Sequence, residues 1–450
     1  MSNSSVVYGT GRRCINPKVP SNLAGYFNIR MWDNVLDDIY VHALVIKQNG
    51  VASAIVYFDL LNINSKLSDR IYELVEKTKI LSKENVIICA SHTHTAPAIN
   101  EDWSSNPEYY FFVVTKAIEA ITDACLSMHA GELCFGGTSL EGLAFNRRYW
   151  MKNGTVVTNP GKMNPDIEKT EGPVDCSIPM MGIKQNGKLK VLIANISNHG
   201  DTIGGTAISS DWMGICRSML EDEMGSGSMF FPLIAPSGNI NHFDVTTPKK
   251  QYSYDEATRI GKTYAYAISE AIKDLKNEDV SLSVANNIVR VKPREVDNVE
   301  LEEAKKVVEK YSKLNVNDSG TDVTAEDFAN NSPVVLKLFA DAVIKRAQDN
   351  VEREFNLVCI DFGPLCIISL PSEIFVEIGI EIRTNIFPEK VVMIATHSST
   401  GARHVSNGYV PNEFNFGRGG YETSYRAAPY EIATSNKLVD GIRVLKSRLK

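Results

Sequence analysis

The stretch from residue 84 to residue 100, ENVIICASHTHTAPAIN, constrains the fold more than any other part of the chain. Its apolar run is rich in β-branched residues and predicts a buried strand that ends just before His92 and His94. Two imidazoles at positions i and i+2 point to the same side if the extended conformation continues. Because neutral imidazole is the commonest protein metal ligand, this strand end predicts a two-histidine metal site, or one ligand beside a general acid or base. The ordinary alternative is a pair of hydrogen-bonded loop histidines.

The composition is that of a soluble globular protein, with 43% hydrophobic and 22% charged residues among 450. A formal net charge of −7 argues against a nucleic-acid partner, and the absence of a run of about 18 apolar residues argues against a transmembrane segment. The N-terminal segment lacks the apolar stretch of a secretory signal. The eight cysteines form no CxxC pair, which favours reduced core thiols. We therefore expect a cytoplasmic protein.

Strand patterns alternate with helix patterns along most of the chain, which predicts an α/β fold with mixed sheets flanked by helices. Residues 1–35 carry glycine and proline turn signals, and we expect irregular structure there. Helix patterns at 300–314 and 333–350 are separated by a polar stretch, so they predict a helical insertion at about 299–350. Because no internal repeat or low-complexity linker divides the chain, we expect one catalytic domain over residues 1–450.

Polar residues with metal-binding or catalytic side chains directly follow the predicted strands. They are Asp59, His92, His94, His199, Asn239, Asn241, Glu373 and His397. In an open α/β sheet, functional residues collect beyond the carboxyl ends of the strands. If these ends converge, two imidazoles and a carboxylate from His92, His199 and Glu373 form a set typical of catalytic zinc, with one position left for water. The sequence therefore predicts a metal site at the strand ends, although polar loop residues without that role are the ordinary alternative.

Six short motifs, in the same order, resemble those of the neutral/alkaline (non-lysosomal) ceramidase family. The family patterns are HTHSGP, NRS, NHP, (S/A)xDxxG, PGE and Y(I/V)TT followed by YE. In this chain they read HTHTAP at 92–97, NRR at 146–148, NHG at 198–200, SSDWMG at 209–214, PSE at 371–373, and YVPN at 409–412 followed by Tyr421-Glu422. The resemblance runs from about residue 20 to the C-terminus, and it implies the fold of the family's catalytic domain.

Carried over position by position, the resemblance implies a zinc site and a set of residues around the substrate carbonyl. The implied zinc ligands are His92, His199, Glu373 and Tyr409. The residues implied to orient the carbonyl and stabilise an oxyanion are His94, Arg147 and Tyr421. Residue type alone would not single out Tyr409 from 17 tyrosines, and it would leave Arg147 an ordinary surface arginine.

Three departures from the family pattern narrow the expected function. The family's GDxSPN segment reads GNINHF at 238–243, so Asn241 replaces a serine and Asn239 replaces an acidic residue. Asparagine cannot serve as a nucleophile in this role, so we expect Asn241 at most to donate a hydrogen bond. We also expect no C-terminal immunoglobulin-like domain and, as noted, no secretion signal. Ceramide itself is therefore not the expected substrate.

These observations predict a zinc-dependent hydrolase that cleaves the amide bond of a small, polar substrate by metal-activated water. An esterase or lactonase with the same site is one alternative, and nothing in the sequence separates the two. A non-catalytic, metal-stabilised binding protein is another alternative. The loss of the serine favours it, whereas the retention of four candidate ligands and of Arg147 argues against it. The substrate, the oligomeric state and the identity of the resting metal stay open.

Overall fold

The computed structural model describes residues 5–79, 81–99, 107–314, 323, 327–328, 331–398 and 408–449. These residues form a four-layer structure, in which two mixed β-sheets pack face to face and helices cover both outer faces. The predicted α/β fold with mixed sheets flanked by helices is confirmed.

The described residues contain 22 strands and eight α-helices. The strands are β1 (Ser5–Cys14), β2 (Asn34–Val35), β3 (Tyr40–Gln48), β4 (Val51–Phe58), β5 (Val86–Ala90), β6 (His129–Ser139), β7 (Phe145–Asn146), β8 (Arg148–Met151), β9 (Val156–Thr158), β10 (Ile167–Thr170), β11 (Ser177–Gln185), β12 (Lys188–Ile196), β13 (Ala207–Ile208), β14 (Met229–Ile234), β15 (Ile240–Asn241), β16 (Lys276–Asn277), β17 (Ser283–Val291), β18 (Arg353–Asp361), β19 (Leu365–Pro371), β20 (Glu373–Ile374), β21 (Val391–Ser398) and β22 (Tyr409–Val410). The helices are α1 (Ser65–Thr78), α2 (Pro107–Leu126), α3 (Asp211–Met224), α4 (Tyr254–Ile272), α5 (Asn298–Lys310), α6 (Pro333–Ala347), α7 (Val376–Glu381) and α8 (Thr434–Arg448).

The larger sheet has nine strands in the order β14-β12-β11-β6-β1-β3-β4-β5, with β16 paired to β6. The smaller sheet has the order β17-β18-β19-β21. Apolar side chains from the inner faces of both sheets form one continuous core. This burial on both faces explains why the strands read as nearly continuous apolar runs in the sequence.

Helices cover the outer face of each sheet. Helices α1 and α2 pack on one half of the larger sheet, α3 and α4 on the other half, and α7 and α8 on the smaller sheet. Helices α5 and α6 pack on each other and coincide with the predicted insertion. The polar stretch between them lies mostly outside the described residues. That the whole chain is one catalytic domain stays a prediction.

Two expectations about the chain as a whole can be checked against the described residues. None of their helices combines the length and the apolar character needed to cross a membrane. All eight cysteines are free, and most of them are buried or half-buried, in agreement with their interpretation as reduced core thiols.

Strand β1 contradicts the prediction that residues 1–35 are irregular. It lies near the centre of the larger sheet, where it pairs with β3 on one side and β6 on the other. Its glycines do not form a turn. A Cβ atom on Gly9 or Gly11 would overlap the backbone carbonyl of Ala124 or Ala120 in α2. The two glycines therefore allow the helix to approach the strand closely, and the turn interpretation was wrong for residues 5–14.

Three parallel strand pairs bring polar strand ends together. The pairs are β4 with β5, β12 with β14, and β19 with β21. Several non-glycine residues at these ends adopt the left-handed conformation, with φ values of 62° at His92, 74° at Ser372 and 51° at His397. Such conformations are uncommon for side chains other than glycine and cluster at functional sites. They turn the chain sharply as soon as each strand ends.

Candidate metal and catalytic site

Three imidazoles meet at the strand ends. The Nε2 atoms of His92 and His199 are 3.0 Å apart, and the Nε2 atom of His94 is 3.3 Å from each of them. Burial is the main cause that lowers the pKa of His94 and His199 well below the usual histidine value, so both rings are neutral at pH 7. Three imidazole nitrogens that face one point can offer lone pairs to a cation, and this triad could hold a metal ion.

The opposite ring nitrogens fix the orientation of two of these imidazoles. The Nδ1 atom of His92 lies 2.8 Å from the carbonyl oxygen of Leu61, and that of His94 lies 3.2 Å from the carbonyl oxygen of Gly25. Donation from Nδ1–H to a carbonyl leaves the lone pair on Nε2, which is the tautomer that binds metal. His397 adds support from one side, because its ring stacks on His92 with 4.0 Å between centroids and an interplanar angle of 16°.

Glu373 supplies a carboxylate to the same centre. Its Oε2 atom lies 3.4 Å from Nε2 of His92, and this buried oxygen has no hydrogen-bond partner among the described residues. Burial alone would raise the pKa of Glu373, but the interactions with His92, Arg147 and Tyr409 outweigh it and lower the pKa. A buried carboxylate oxygen without a donor, beside three imidazole nitrogens, fits a divalent cation better than it fits a metal-free hydrogen-bond network.

Tyr409 lies beside Glu373 because β22 pairs in parallel with β20, in a register that places the two residues opposite each other. Its hydroxyl accepts a hydrogen bond of 3.0 Å from Nη2 of Arg147, whose guanidinium carbon lies 5.3 Å from the centre of the tyrosine ring. Burial raises the pKa of Tyr409 well above its usual value, and the positive charge of Arg147 opposes this shift. Tyr409 is therefore within the same cluster as Glu373 and Arg147.

Arg147 is held from several sides. Its Nε atom donates to Oε1 of Glu422 at 2.8 Å, and its Nη2 atom also donates to the carbonyl oxygen of Gly238 at 2.7 Å. The second carboxylate oxygen of Glu422 accepts from Nη1 of Arg148 at 2.9 Å and from the hydroxyl of Thr158 at 2.6 Å. This buried network fixes the Arg147 guanidinium, whereas Nη1 of Arg147 makes no hydrogen bond with any residue in the described part of the chain.

Tyr421 packs against this cluster, and Asn241 is used elsewhere. The ring of Tyr421 meets that of Tyr409 edge-on at 5.9 Å between centroids. The side-chain amide of Asn241 donates to Asn159 at 2.9 Å, and its oxygen accepts from the backbone N–H of Phe243 at 3.1 Å. Both polar atoms of Asn241 are thus engaged in holding local loop structure.

Asn239, which follows β14, and His397, which lies near the end of β21, have supporting contacts. The side chain of Asn239 accepts from the backbone N–H of Val376 and donates to Glu377, each at 2.9 Å, so it ties the end of β14 to the start of α7. Asp59 lies in a separate cluster with Arg217 and His42. The strand-end pattern therefore gathers most of its members around one centre, but not Asp59.

Sequence reasoning missed Asp201 and Tyr26. The carboxylate of Asp201 accepts a hydrogen bond from the hydroxyl of Tyr26 and lies 3.8 Å from Nδ1 of His94. Burial raises the pKa of Asp201. The spacing argument applied to His92 and His94 would have found this residue, since Asp201 follows His199 at i+2. No comparable signal marks Tyr26, which lies in a loop.

Comparison with known proteins identifies the fold. No protein-family model matches the sequence, and no curated protein matches it. Among solved structures, neutral ceramidase from Pseudomonas aeruginosa superposes with a TM-score of 0.72 at 17% identity, covering 99% of this chain and 75% of that one. A ceramidase in complex with C2 superposes with a TM-score of 0.69 at 16% identity, covering 99% of this chain and 76% of that one. The resemblance inferred from the six motifs is thus confirmed at the level of structure, and the chain has the neutral ceramidase fold.

Proposed function

We propose that this protein is a zinc-dependent hydrolase that cleaves an amide bond of a small, polar substrate. The observation that carries the proposal is the convergence of the three Nε2 atoms at 3.0–3.3 Å from one another, next to the unpartnered carboxylate oxygen of Glu373. The similarity to two solved ceramidase structures supports amide chemistry over other hydrolytic reactions. The cytoplasmic location stays a prediction.

The residues proposed to hold the zinc are His92, His199, Glu373 and Tyr409. Imidazole, carboxylate and phenolate side chains are all suitable donors for this ion. When bound, zinc supplies two effects, because it lowers the pKa of water and polarises the carbonyl that water attacks. His94 lies equally close to the centre, so its Nε2 atom either completes the ligand set or stands next to the reacting carbonyl.

The remaining residues are proposed to act on the carbonyl and its proton. Arg147 can direct its free Nη1 donor at the oxygen that becomes negative, and Tyr421 lines the same side. The Nε2 atom of His94 faces the same centre, and we assign it the transfer of a proton at the reacting carbonyl. Asn241 has no nucleophilic oxygen, and its amide is already engaged with Asn159, so a covalent intermediate on this residue is not part of the proposal.

Elemental analysis of the purified protein tests the metal site first. We expect about one zinc ion per chain in the wild type and none in the His92→Ala/Glu373→Ala double variant. Four ligands are the norm for zinc, and the double variant lacks two of the four that we propose. His129→Ala is the matched control, since this exposed histidine lies outside the cluster. No metal in the wild type, even after zinc is supplied, would contradict the hydrolase mechanism and favour a binding protein.

Hydrolysis of matched amides and esters tests the chemistry. The same acyl group is offered as amide, ester and lactone, with chelator-treated enzyme as control. Preferential release of acid from the amide supports the proposal, and cleavage of esters or lactones alone would favour the alternative reaction. His94→Ala separates the two roles of that residue, because loss of zinc identifies a ligand and loss of activity with zinc retained identifies a residue at the carbonyl.

A further inference from the structure

One guanidinium beside the site has no partner. Arg426 is half-buried, and its guanidinium carbon lies 5.0 Å from the centre of the Phe27 ring. It makes neither a hydrogen bond nor an ion pair with any described residue. Arg147 and Arg148 differ, because the carboxylates of Glu422 and Glu171 neutralise both.

A line of aromatic rings connects Arg426 to the proposed reaction centre. The ring of Phe27 meets that of Tyr421 edge-on at 6.2 Å between centroids, and Tyr421 in turn meets Tyr409 at 5.9 Å. Tyr409 contacts Arg147 directly through its hydroxyl. Arg147 therefore marks the inner end of this aromatic wall and Arg426 its outer end.

A free guanidinium has a fixed, planar fork of N–H donors that matches the oxygens of a carboxylate or a phosphate. A neighbouring aromatic face orients that fork without using its donors. Because no side chain in the described residues occupies the fork of Arg426, it is available to a bound molecule that extends along the aromatic wall from Arg147.

We propose, on the basis of the function proposed above, that the substrate is an amide carrying an anionic oxygen group, carboxylate or phosphate, which Arg426 binds while the scissile carbonyl lies at Arg147. The rings of Phe27 and Tyr421 line the connection between the two ends. The substrate class is thereby narrowed from polar amides to acidic amides.

Kinetics with charge-matched substrates test this assignment. The probes are N-benzoylglycine, N-benzoyl-aminohexanoate and N-benzoyl-phosphoethanolamine, each beside a neutral counterpart of equal length, and release of benzoate is measured. We expect kcat/KM to favour an anionic member by about tenfold or more, the size of one charged hydrogen bond. In Arg426→Gln and in Arg426→Met, which keeps the packing on Phe27, this ratio should fall to about one. Comparison of the carboxylate and phosphate probes identifies the preferred group.

Arg443→Gln is the matched control, since it removes one positive charge from the exposed face of the last helix and should leave the ratio unchanged. Equal rates for charged and neutral probes in the wild type, or a preference that survives in both Arg426 variants, would overturn the proposal. If no probe is hydrolysed, the proposed function fails separately. The same comparison is then made by calorimetric binding to the zinc-treated protein, and binding that ignores the probe's charge again overturns the role of Arg426.

Discussion

Two buried charge clusters in this protein contain the same kinds of side chain and yet differ in one respect. The strand-end cluster combines His92, His94 and His199 with Glu373 and Arg147. The inner cluster combines His42 of β3, Asp59 at the end of β4 and Arg217 of α3.

In the inner cluster the carboxylate is fully paired, and the buried atom without a hydrogen-bond partner among the described residues is a donor, Nε2 of His42. Arg217 donates to both carboxylate oxygens of Asp59, at 2.9 and 3.1 Å, and the backbone N–H of Tyr40 donates to the same carboxylate at 3.0 Å. Nδ1 of His42 accepts from Arg12 at 3.1 Å, and its other nitrogen lies 3.8 Å from Asp59. In the strand-end cluster, lone pairs face each other and a carboxylate oxygen lacks a donor. The two clusters are alike in burial and in residue type. They differ because the strand-end cluster has lone pairs without donors, which is what a metal site requires.

The largest expected effect comes from substituting one central residue in each cluster and comparing zinc content and stability. His199→Ala should abolish zinc binding and lower kcat/KM by about a thousandfold or more, since metal-ion catalysis supplies several kcal/mol. Arg217→Met should instead keep zinc but lower the free energy of unfolding by about 3–5 kcal/mol, because Asp59 is left buried without its charged partner. Zinc content and urea-induced unfolding measure the two effects. If Arg217→Met lost zinc without losing stability, the inner cluster would also serve metal binding, and the distinction between the two clusters would be wrong.

Substitution of Glu422 shows whether its buried ion pairs orient Arg147 for catalysis or only stabilise the fold. Glu422→Gln should lower kcat by about 10- to 100-fold, with KM and zinc content nearly unchanged, because Arg147 loses the carboxylate that orients it. Glu171→Gln is the matched control, since Glu171 pairs with Arg148 but not with Arg147. It should reduce the free energy of unfolding and leave kcat within about twofold. Equal losses of kcat in both variants would mean that the network supports only the fold.

The smallest expected effect is an acid sensitivity of the inner cluster. Burial is the main cause that lowers the pKa of His42 from 6.5 to about 3 in the folded protein. The unfolded chain therefore binds more protons between these values, and the free energy of unfolding should fall by up to about 1.4 kcal/mol per pH unit as the pH decreases. His42→Gln should show a shallower decline in urea unfolding measured from pH 6.5 downwards, whereas His129→Ala should keep the wild-type slope. Parallel slopes in all three proteins would remove His42 as the cause.

Much of the fold was predictable because its strands are buried on both faces and followed by helices with a clear apolar period. The error at β1 has a physical origin, since Gly9 and Gly11 read as turn residues although they serve close packing against α2. A glycine-rich sequence alone does not say whether the missing Cβ atom creates a turn or a contact. Here the missing Cβ atoms allow contact with α2, whose contacting residues lie more than a hundred positions further along the chain.

The site was only partly predictable for a related reason. His92, His199 and Glu373 follow strands with clear apolar runs, and parallel pairing brings such strand ends together. Tyr409 was identified only through the resemblance, because its position depends on the short β20–β22 pairing, which leaves no periodic pattern. The network around Glu422 and the isolation of Arg426 depend on contacts between loops, and loop packing is not encoded in hydrophobic periodicity.

The wide separation of the site residues along the chain has a consequence for how the protein matures. His92 and His199 are 107 positions apart, and Glu373 and Tyr409 follow only after the smaller sheet. Contacts of such long range form late, after the loop-closure entropy has been overcome. The proposed ion can therefore bind only after its ligands have been brought together, and we do not expect it to nucleate folding. If zinc binds here as proposed, we expect zinc depletion to lower the fraction of active protein more than the fraction of folded protein.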